Sequence, residues 1–176
     1  MMDRETRDKF VASGSTEHET PDDLYRTLDD EFDFGLDICA SYKNAKCLPY
    51  IDKKQNCLKM DWSKITRSSK SGVIWMNPPY NRKTRTQPGQ IDFVEKARFE
   101  SFDGNVTVAL LPVRTDTKLF HRYIWNKEHH RPQNGVEVRF IEGRVKFVGM
   151  NQGALFPSMI VIFRQPDLFK KDGVEL

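Results

Sequence analysis

At 176 residues, with a formal net charge of +3, 30% charged and 11% aromatic residues, the chain suits one compact domain and is too short for a catalytic domain joined to a large recognition domain. No apolar run approaches the ~20 residues needed to cross a bilayer, and the opening MMDRETRDKFVASGSTEHE alternates charges with no secretory apolar core, which excludes a membrane protein and points to the cytoplasm. Cys39, Cys47 and Cys57 are an odd count without a close C-x-x-C pair, so they read as free thiols rather than a disulfide framework or a zinc knuckle.

Residues 1–17 read as a flexible leader, 18–166 as one domain and 167–176 as a tail. Thr20, Pro21, Asp22 and Asp23 form a helix start: a hydroxyl cap, a proline at the first helical position and two first-turn carboxylates. That helix is expected to run to about Glu31. Residues 32–40 (FDFGLDICA) then read as a buried strand, with a second extended piece near 47–51. Residues 64–71 are polar and read as a loop. The short apolar run 73–76, between Gly72 and two prolines, predicts a central strand ending at Asn77. Ile91, Phe93, Val94, Ala97 and Phe99 recur near helical spacing within 90–102. A buried strand is expected over 106–111, stopped by Pro112, and a helix over 118–126 with Leu119, Tyr123 and Ile124 facing inward. Residues 136–141, 144–148 and 158–164 read as strands, the last two joined by a glycine-containing loop with Gly149 and Gly153. Strands alternating with helices imply an α/β fold with a mostly parallel sheet, and the closing run implies an antiparallel hairpin at its edge.

Charge is uneven along the chain. From Trp62 to Ile91 there is no acidic residue, while Lys64, Arg67, Lys70, Arg82, Lys83 and Arg85 fall in that window; a second basic run holds Arg114, Lys118, Arg122, Lys127 and Arg131. Either run suits phosphate contacts, and either alone equally suits a solvated surface.

In open α/β sheets, ligands collect beyond the carboxyl ends of the strands. Two such ends carry unusual chemistry, Asp37 to Ser41 and Asn77 to Tyr80. A nucleobase amine has its lone pair delocalised into the ring. Acceptors that take both of its N–H bonds favour the pyramidal form in which that pair can attack an electrophilic carbon. The side-chain oxygen of Asn77 and the carbonyl of Pro78 suit those roles. Pro78 and Pro79 limit the backbone and aim the carbonyls, and Tyr80 offers a stacking plate worth ~1–3 kcal/mol against a base. A plain proline turn with Tyr80 in the core is the competing reading of the same four residues.

The ordered blocks T-P-D-D-L-Y, F-x-F-G-L-D-I-C-A, D-W, N-P-P-Y, L-L-P-V-R-T-D-T-K-L-F-H, R-F-I-E-G-R-V-K-F and F-P-S-M-I-V-I-F resemble the Dam family of phage and prophage DNA N6-adenine methyltransferases, from about Thr20 to Arg164. The resemblance implies a Rossmann-like methyltransferase fold, S-adenosylmethionine as methyl donor and adenine in DNA as acceptor. It implies that Asn77, Pro78, Pro79 and Tyr80 are the catalytic motif. Thr20 and Pro21 would lie at the methionine end of the cofactor, and Asp37, Cys39 and Ala40 in its binding loop. Asp61 would contact the cofactor's adenosyl part or the target base. It further implies a phage enzyme that protects DNA from restriction inside the bacterial host cell. The sequence departs from the wider methyltransferase pattern at 37–42, where small residues stand without the usual glycines. Asp52 is the candidate ribose-binding acid. Asp37 also suits a helix cap or a buried salt bridge.

Arg82, Lys83, Arg85, Arg114 and Lys118 are the candidate DNA contacts, although Asp116 beside Arg114 also suits a helix cap. His129 and His130 lack partners at ligand spacing, so no metal is expected; Trp75 reads as core. The chain is expected to be a monomer or weak dimer. An N-methyltransferase acting on RNA or on a protein glutamine, and a non-catalytic DNA-binding module, are the alternatives.

Overall fold

The computed structural model describes residues 18–167. The expected leader 1–17, and the expected tail beyond Asp167, lie outside the described residues. Helix α1 (Asp22–Phe32) has Pro21, not Thr20, as its N-cap, and the cap residue makes no side-chain hydrogen bond; in the first turn the Asp23 carboxylate accepts from the Leu24 N–H at 2.8 Å. The Thr20 hydroxyl is engaged elsewhere, as described below. Asp22 and Asp23 in the first turn complement the helix dipole. The helix ends when Asp33 turns left-handed (φ 53°), its N–H reaching the Asp29 carbonyl, while the Asp29 carboxylate accepts from the Phe34 N–H at 2.8 Å. This stop keeps Phe32 in the helix and shortens the strand expected over 32–40 to β1 (Leu36–Asp37). The piece near 47–51 does run beside β1: the Asp37 N–H donates to the Pro49 carbonyl at 3.1 Å, and the Ile51 N–H to the Asp37 carbonyl at 2.8 Å.

A 3-10 turn (Cys57–Lys59) leads into α2 (Trp62–Thr66), so part of the loop expected over 64–71 is helical. The cause is Asp61, whose carboxylate caps α2 by accepting from the Lys64 N–H. Strand β2 (Val73–Met76) and helix α3 (Gln90–Phe102) lie where the sequence puts them. Phe99 does not join the inward face of α3, which consists of Phe93, Val94, Ala97, Glu100 and Ser101. Glu100 is buried without strain because its carboxylate accepts from the Trp62 N–H (3.3 Å) and the Asn105 side-chain amide (2.9 Å) and pairs with Lys96 (2.5 Å). Strand β3 (Val106–Pro112) takes in Pro112. In place of the helix expected over 118–126 there is a π-helical stretch (Phe120–Ile124), followed by a two-strand ribbon of β4 (Trp125–Asn126) and β5 (Arg131–Pro132). Leu119 is only half-buried there, whereas Tyr123 and Ile124 do face inward. Strands β6 (Val136–Phe140) and β7 (Ser158–Phe163) complete the main sheet.

The sheet order is β1-β2-β3-β7-β6. Strands β1, β2 and β3 are parallel, and β7 is antiparallel to both β3 and β6, so four of five strands run one way. The fold is therefore mixed α/β. The antiparallel pair at the edge is β6 with β7, not 144–148 with 158–164. Residues 144–148 form no strand because left-handed glycines bracket them, Gly143 at φ 74° and Gly149 at φ 79°. Their backbone bonds go instead to the Val145 carbonyl from the Ala154 N–H (2.8 Å) and from the Val148 N–H to the Glu19 carbonyl (3.0 Å).

The period-2 alternation of strands divides the core between two faces. Ile74, Met76, Ala109, Leu111, Val161 and Phe163 pack with Trp62, Phe93, Val94 and Ile124. Trp75, Val108, Leu110, Ile160 and Ile162 pack with Tyr25, Leu28, Phe32 and the loop residues Val145 and Phe147. Fully burying a Val, Leu, Ile, Phe or Met side chain among them stabilises the fold by about 1.5–3 kcal/mol. Trp75 is core, as its place in the strand implied. The second layer fixes the 141–157 segment over the end of β2, beside Asn77 to Tyr80.

Candidate active site

Asn77 follows the last residue of β2 directly, so the strand aims it at the carboxyl edge of the sheet. Its amide nitrogen donates to the His18 carbonyl at 2.6 Å and to the Thr20 hydroxyl at 3.1 Å. Its amide oxygen is buried and meets no donor among the described residues. A buried, unpaired acceptor is costly in a folded chain, and here it lies at a strand end where ligands collect. Pro78 is buried behind it. Tyr80 is half-buried, and its hydroxyl donates to the Leu110 carbonyl of β3 at 3.2 Å, which fixes the ring. Burial pushes the phenol well above its ordinary pKa. Tyr80 is thus neither a free plate nor a pure core residue: its hydroxyl is anchored in the sheet while its ring borders the site.

Two further rings border that site. His18 stacks on Phe147, centroids 4.9 Å apart and planes at 26°, and lies 5.5 Å from Tyr80. Phe147 meets Tyr80 edge-on at 6.0 Å. Burial lowers the His18 pKa, which favours the neutral ring. Sequence reading did not single out His18, which no motif marks. Phe147 ends the R-F-I-E-G-R-V-K-F block, and that was the available signal.

Beside Asn77 runs a narrow cleft lined by His18, Glu19, Thr20, Asp37, Cys39, Asn44, Lys46 and Trp75. Thr20, Asp37, Cys39 and Asn77 are thereby brought together. Asp37 is 3% exposed. Its carboxylate accepts from the Cys39 N–H (3.3 Å) and the Lys46 N–H (3.0 Å), with lone pairs left for a ligand donor. Burial pushes its pKa up to about 6. Lys46, absent from the sequence-derived set, spans from this cleft to Glu19 (3.1 Å) and Asp22 (2.7 Å). Burial and the neighbouring Cys57 thiol hold Cys39 protonated, and burial raises Cys47 to about 11. Ala40 is buried, its N–H donating to the Ile51 carbonyl at 3.2 Å, and Pro21 caps α1 next to Thr20. Asp52 and Asp61 do not line this cleft. Asp52 follows the extended piece beside β1 and accepts from the Lys54 and Gln55 N–H groups at 2.8 and 2.9 Å. Asp61 is exposed, caps α2 and pairs with Lys64 at 3.3 Å, which lowers its pKa.

The basic window is partly neutralised by acids from outside it. Lys64 pairs with Asp61, Lys70 with Asp33 and Lys83 with Asp92, which leaves Arg67, Arg82 and Arg85 as exposed cations. The last two sit on a loop closed by the Gln90 N–H to the Asn81 carbonyl and the Asn81 side-chain amide to the Pro88 carbonyl, both 3.0 Å. An open basin beneath it is lined by Lys83, Arg85, Gln87, Lys96 and the outward-turned Phe99. Arg114, just past β3, forks onto Asp116 with two 3.1 Å bonds and lies over the Phe156 ring at 4.7 Å. Asp116 therefore holds Arg114, and the helix cap considered for it is not seen. Lys118 is exposed, as are His129 and His130.

The family model for DNA N-6-adenine-methyltransferase (Dam) matches residues 10–170. The DNA N-6-adenine-methyltransferase of Escherichia phage T1 is 30% identical over 124 residues, which make up 70% of this chain and 43% of that relative. With 161 of its residues inside the family match and the acceptor-bearing N-P-P-Y turn at the end of β2, the chain belongs to the DNA N-6-adenine-methyltransferase (Dam) family.

Proposed function

We propose that the protein transfers a methyl group from S-adenosylmethionine to the N6 amine of adenine in DNA, by direct displacement on a base flipped out of the duplex. One observation carries this reading: both acceptors that hold the Asn77 amide nitrogen lie on the His18 to Thr20 side, and its oxygen is left buried and free to accept. An exocyclic amine is the partner such an oxygen suits. The Pro78 carbonyl takes the second N–H, so the lone pair of the amine is released toward the electrophile. Tyr80 stacks on the base, its ring held by the bond to Leu110. A base inside a duplex hides its amine, which is why the base must be extruded.

The cleft residues fit the donor. Asp37, a buried acid with lone pairs to spare, would accept from its ammonium or hydroxyl groups beside Thr20 and Cys39, with Pro21 and Ala40 adjoining, and the ribose and adenosyl ends would extend out of the cleft toward Asp52 and Asp61. S-adenosylmethionine supplies an inherently reactive sulfonium methyl, so the protein's part is alignment, water exclusion and orientation of the amine. No thiolate is needed, and the raised pKa values of Cys39 and Cys47 are consistent with thiols that stay protonated.

DNA would lie along Arg82, Lys83 and Arg85 with help from Arg114 and Lys118, as a monomer or weak dimer in the cytoplasm of an infected bacterium, where methylation shields phage DNA from restriction. A single Rossmann-like methyltransferase domain over 18–166 accounts for four aligned strands with their acidic and amide groups at one sheet edge.

The test is transfer of labelled methyl to unmethylated plasmid DNA, with RNA and protein acceptors in parallel, followed by nucleoside analysis. N6-methyladenine in the DNA product is the expected result. Label in RNA or protein alone would redirect the substrate, and DNA binding without transfer would reduce the protein to a binding module. Asn77→Ala is expected to abolish transfer while largely sparing DNA affinity; a variant that keeps most activity overturns the mechanism.

A further inference from the structure

We propose that Thr20 is a positioning residue for Asn77, and that the His18 to Thr20 segment selects which atom of the amide faces the target amine. This rests on the catalytic reading above. Thr20 is 2% exposed, and the structure frees its hydroxyl from the helix-capping role, since Pro21 is the N-cap of α1. The hydroxyl instead accepts one amide hydrogen of Asn77 at 3.1 Å, and the His18 carbonyl accepts the other at 2.6 Å.

The two acceptors differ in kind. A hydroxyl serves either orientation of the amide, because it donates as well as accepts. A main-chain carbonyl only accepts. Rotating the amide by half a turn would set two acceptor oxygens against each other at His18 and turn the NH2 group toward an amine that also donates. The His18 carbonyl therefore decides the orientation, and the Thr20 hydroxyl holds it by taking the second hydrogen. The result is the free, buried Oδ1. The Thr20 hydroxyl thus acts through Asn77, while the rest of the side chain stays part of the cleft wall, whose shape valine preserves.

The experiment compares wild type, Thr20→Val and Thr20→Ser in single-turnover methylation of plasmid DNA, with S-adenosylhomocysteine and DNA affinities and Tm measured alongside. Thr20→Val is expected to slow the saturated rate by about ten- to a hundredfold, the effect of leaving one buried amide hydrogen of Asn77 without its acceptor, with both affinities within about twofold. Thr20→Ser is expected to restore the rate. An unchanged rate in Thr20→Val, a loss that appears only as weaker S-adenosylhomocysteine binding, or failure of serine to rescue would each overturn the proposal. Should Thr20→Val not fold, the wild-type protein still decides: the Asn77 side-chain NH2 signals, assigned by their loss in Asn77→Ala, are expected to be protected from exchange, and rapid exchange overturns the tether. That readout needs no methylation, so a wild type that tethers Asn77 and fails to methylate DNA would sink the catalytic reading alone.

Discussion

At the scale of single residues, Tyr80 and Asp37 make separable predictions. The Tyr80 ring and hydroxyl do different things, because the hydroxyl bonds the Leu110 carbonyl at 3.2 Å while the ring borders Asn77. Tyr80→Phe loses one hydrogen bond, worth about 0.5–1.5 kcal/mol of stability, and is expected to keep activity within several-fold. On the proposed role of its ring, Tyr80→Ala also gives up base stacking of ~1–3 kcal/mol, so a fall of one to two orders of magnitude in kcat/KM is expected from steady-state kinetics. Asp37 adds a pH dependence. Burial raises its pKa from the ordinary 3.8 to about 6, so the folded chain keeps a proton that the unfolded chain has lost in that window. Stability is thus greatest below the unfolded value, and falls as pH rises toward about 6, by no more than roughly 3 kcal/mol. A ligand donor at Asp37 needs the ionised form and draws the pKa back down. S-adenosylhomocysteine affinity is therefore expected to rise between about pH 5 and 7 and level off above, and calorimetric titration should show Asp37→Asn abolishing that slope.

At the scale of elements, the loop between β2 and α3 is closed by close packing as well as by hydrogen bonds. Gly89, the N-cap of α3, lies so near the loop backbone that an added Cβ would come 2.1 Å from the Lys83 nitrogen and 2.6 Å from the Arg82 carbonyl carbon. Glycine is needed for that approach, whatever its φ. Gly89→Ala is expected to push the loop off α3 and displace Arg82, Lys83 and Arg85. A DNA affinity lowered by about five- to tenfold in a fluorescence titration, the effect of giving up one or two phosphate interactions, with unchanged S-adenosylhomocysteine binding, would bear this out. Unchanged DNA affinity would remove the loop from the interface. The 141–157 segment shows a similar dependence on its surroundings. It covers one sheet face with Val145 and Phe147 and ties to the N-terminal segment through Val148 and Glu19, so it reaches the site without being a strand.

At the scale of the whole molecule, the net charge of +3 hides how unevenly the cations are paired. Three lysines of the basic window are paired with Asp61, Asp33 and Asp92, while Arg67, Arg82 and Arg85 remain exposed. Only unpaired cations release counterions from DNA in full. Removing one cation from a phosphate is expected to reduce the slope of log affinity against log salt by about 0.9. The double variant Arg82→Ala/Arg85→Ala should therefore lower the slope by nearly two, whereas Lys64→Ala, already neutralised by Asp61, should change it little. Equal slopes in all three proteins would place the DNA on another surface.

The same division separates what was legible along the chain from what needed the folded molecule. β2 and α3 were readable because each is set by its own residues: an apolar run with a glycine before and prolines after, and a helical repeat bounded by Gly89 and Gly104. The N-P-P-Y turn was readable for the same reason, since φ restriction and an amide at a strand end are local properties. Elsewhere local preference yielded to distant partners. Residues 32–40 shortened to two paired residues because Asp29 stops α1, and 144–148 spent its backbone on Ala154 and Glu19 rather than on a ladder. The geometry around Asn77 was the least legible part. Nothing in Thr20 or His18 announces that they take the two amide hydrogens of an asparagine 57 and 59 positions later. That hydrogen bonding exists only once β2 ends against the N-terminal segment, because side-chain tethers report proximity in space, and periodicity along a chain does not encode it.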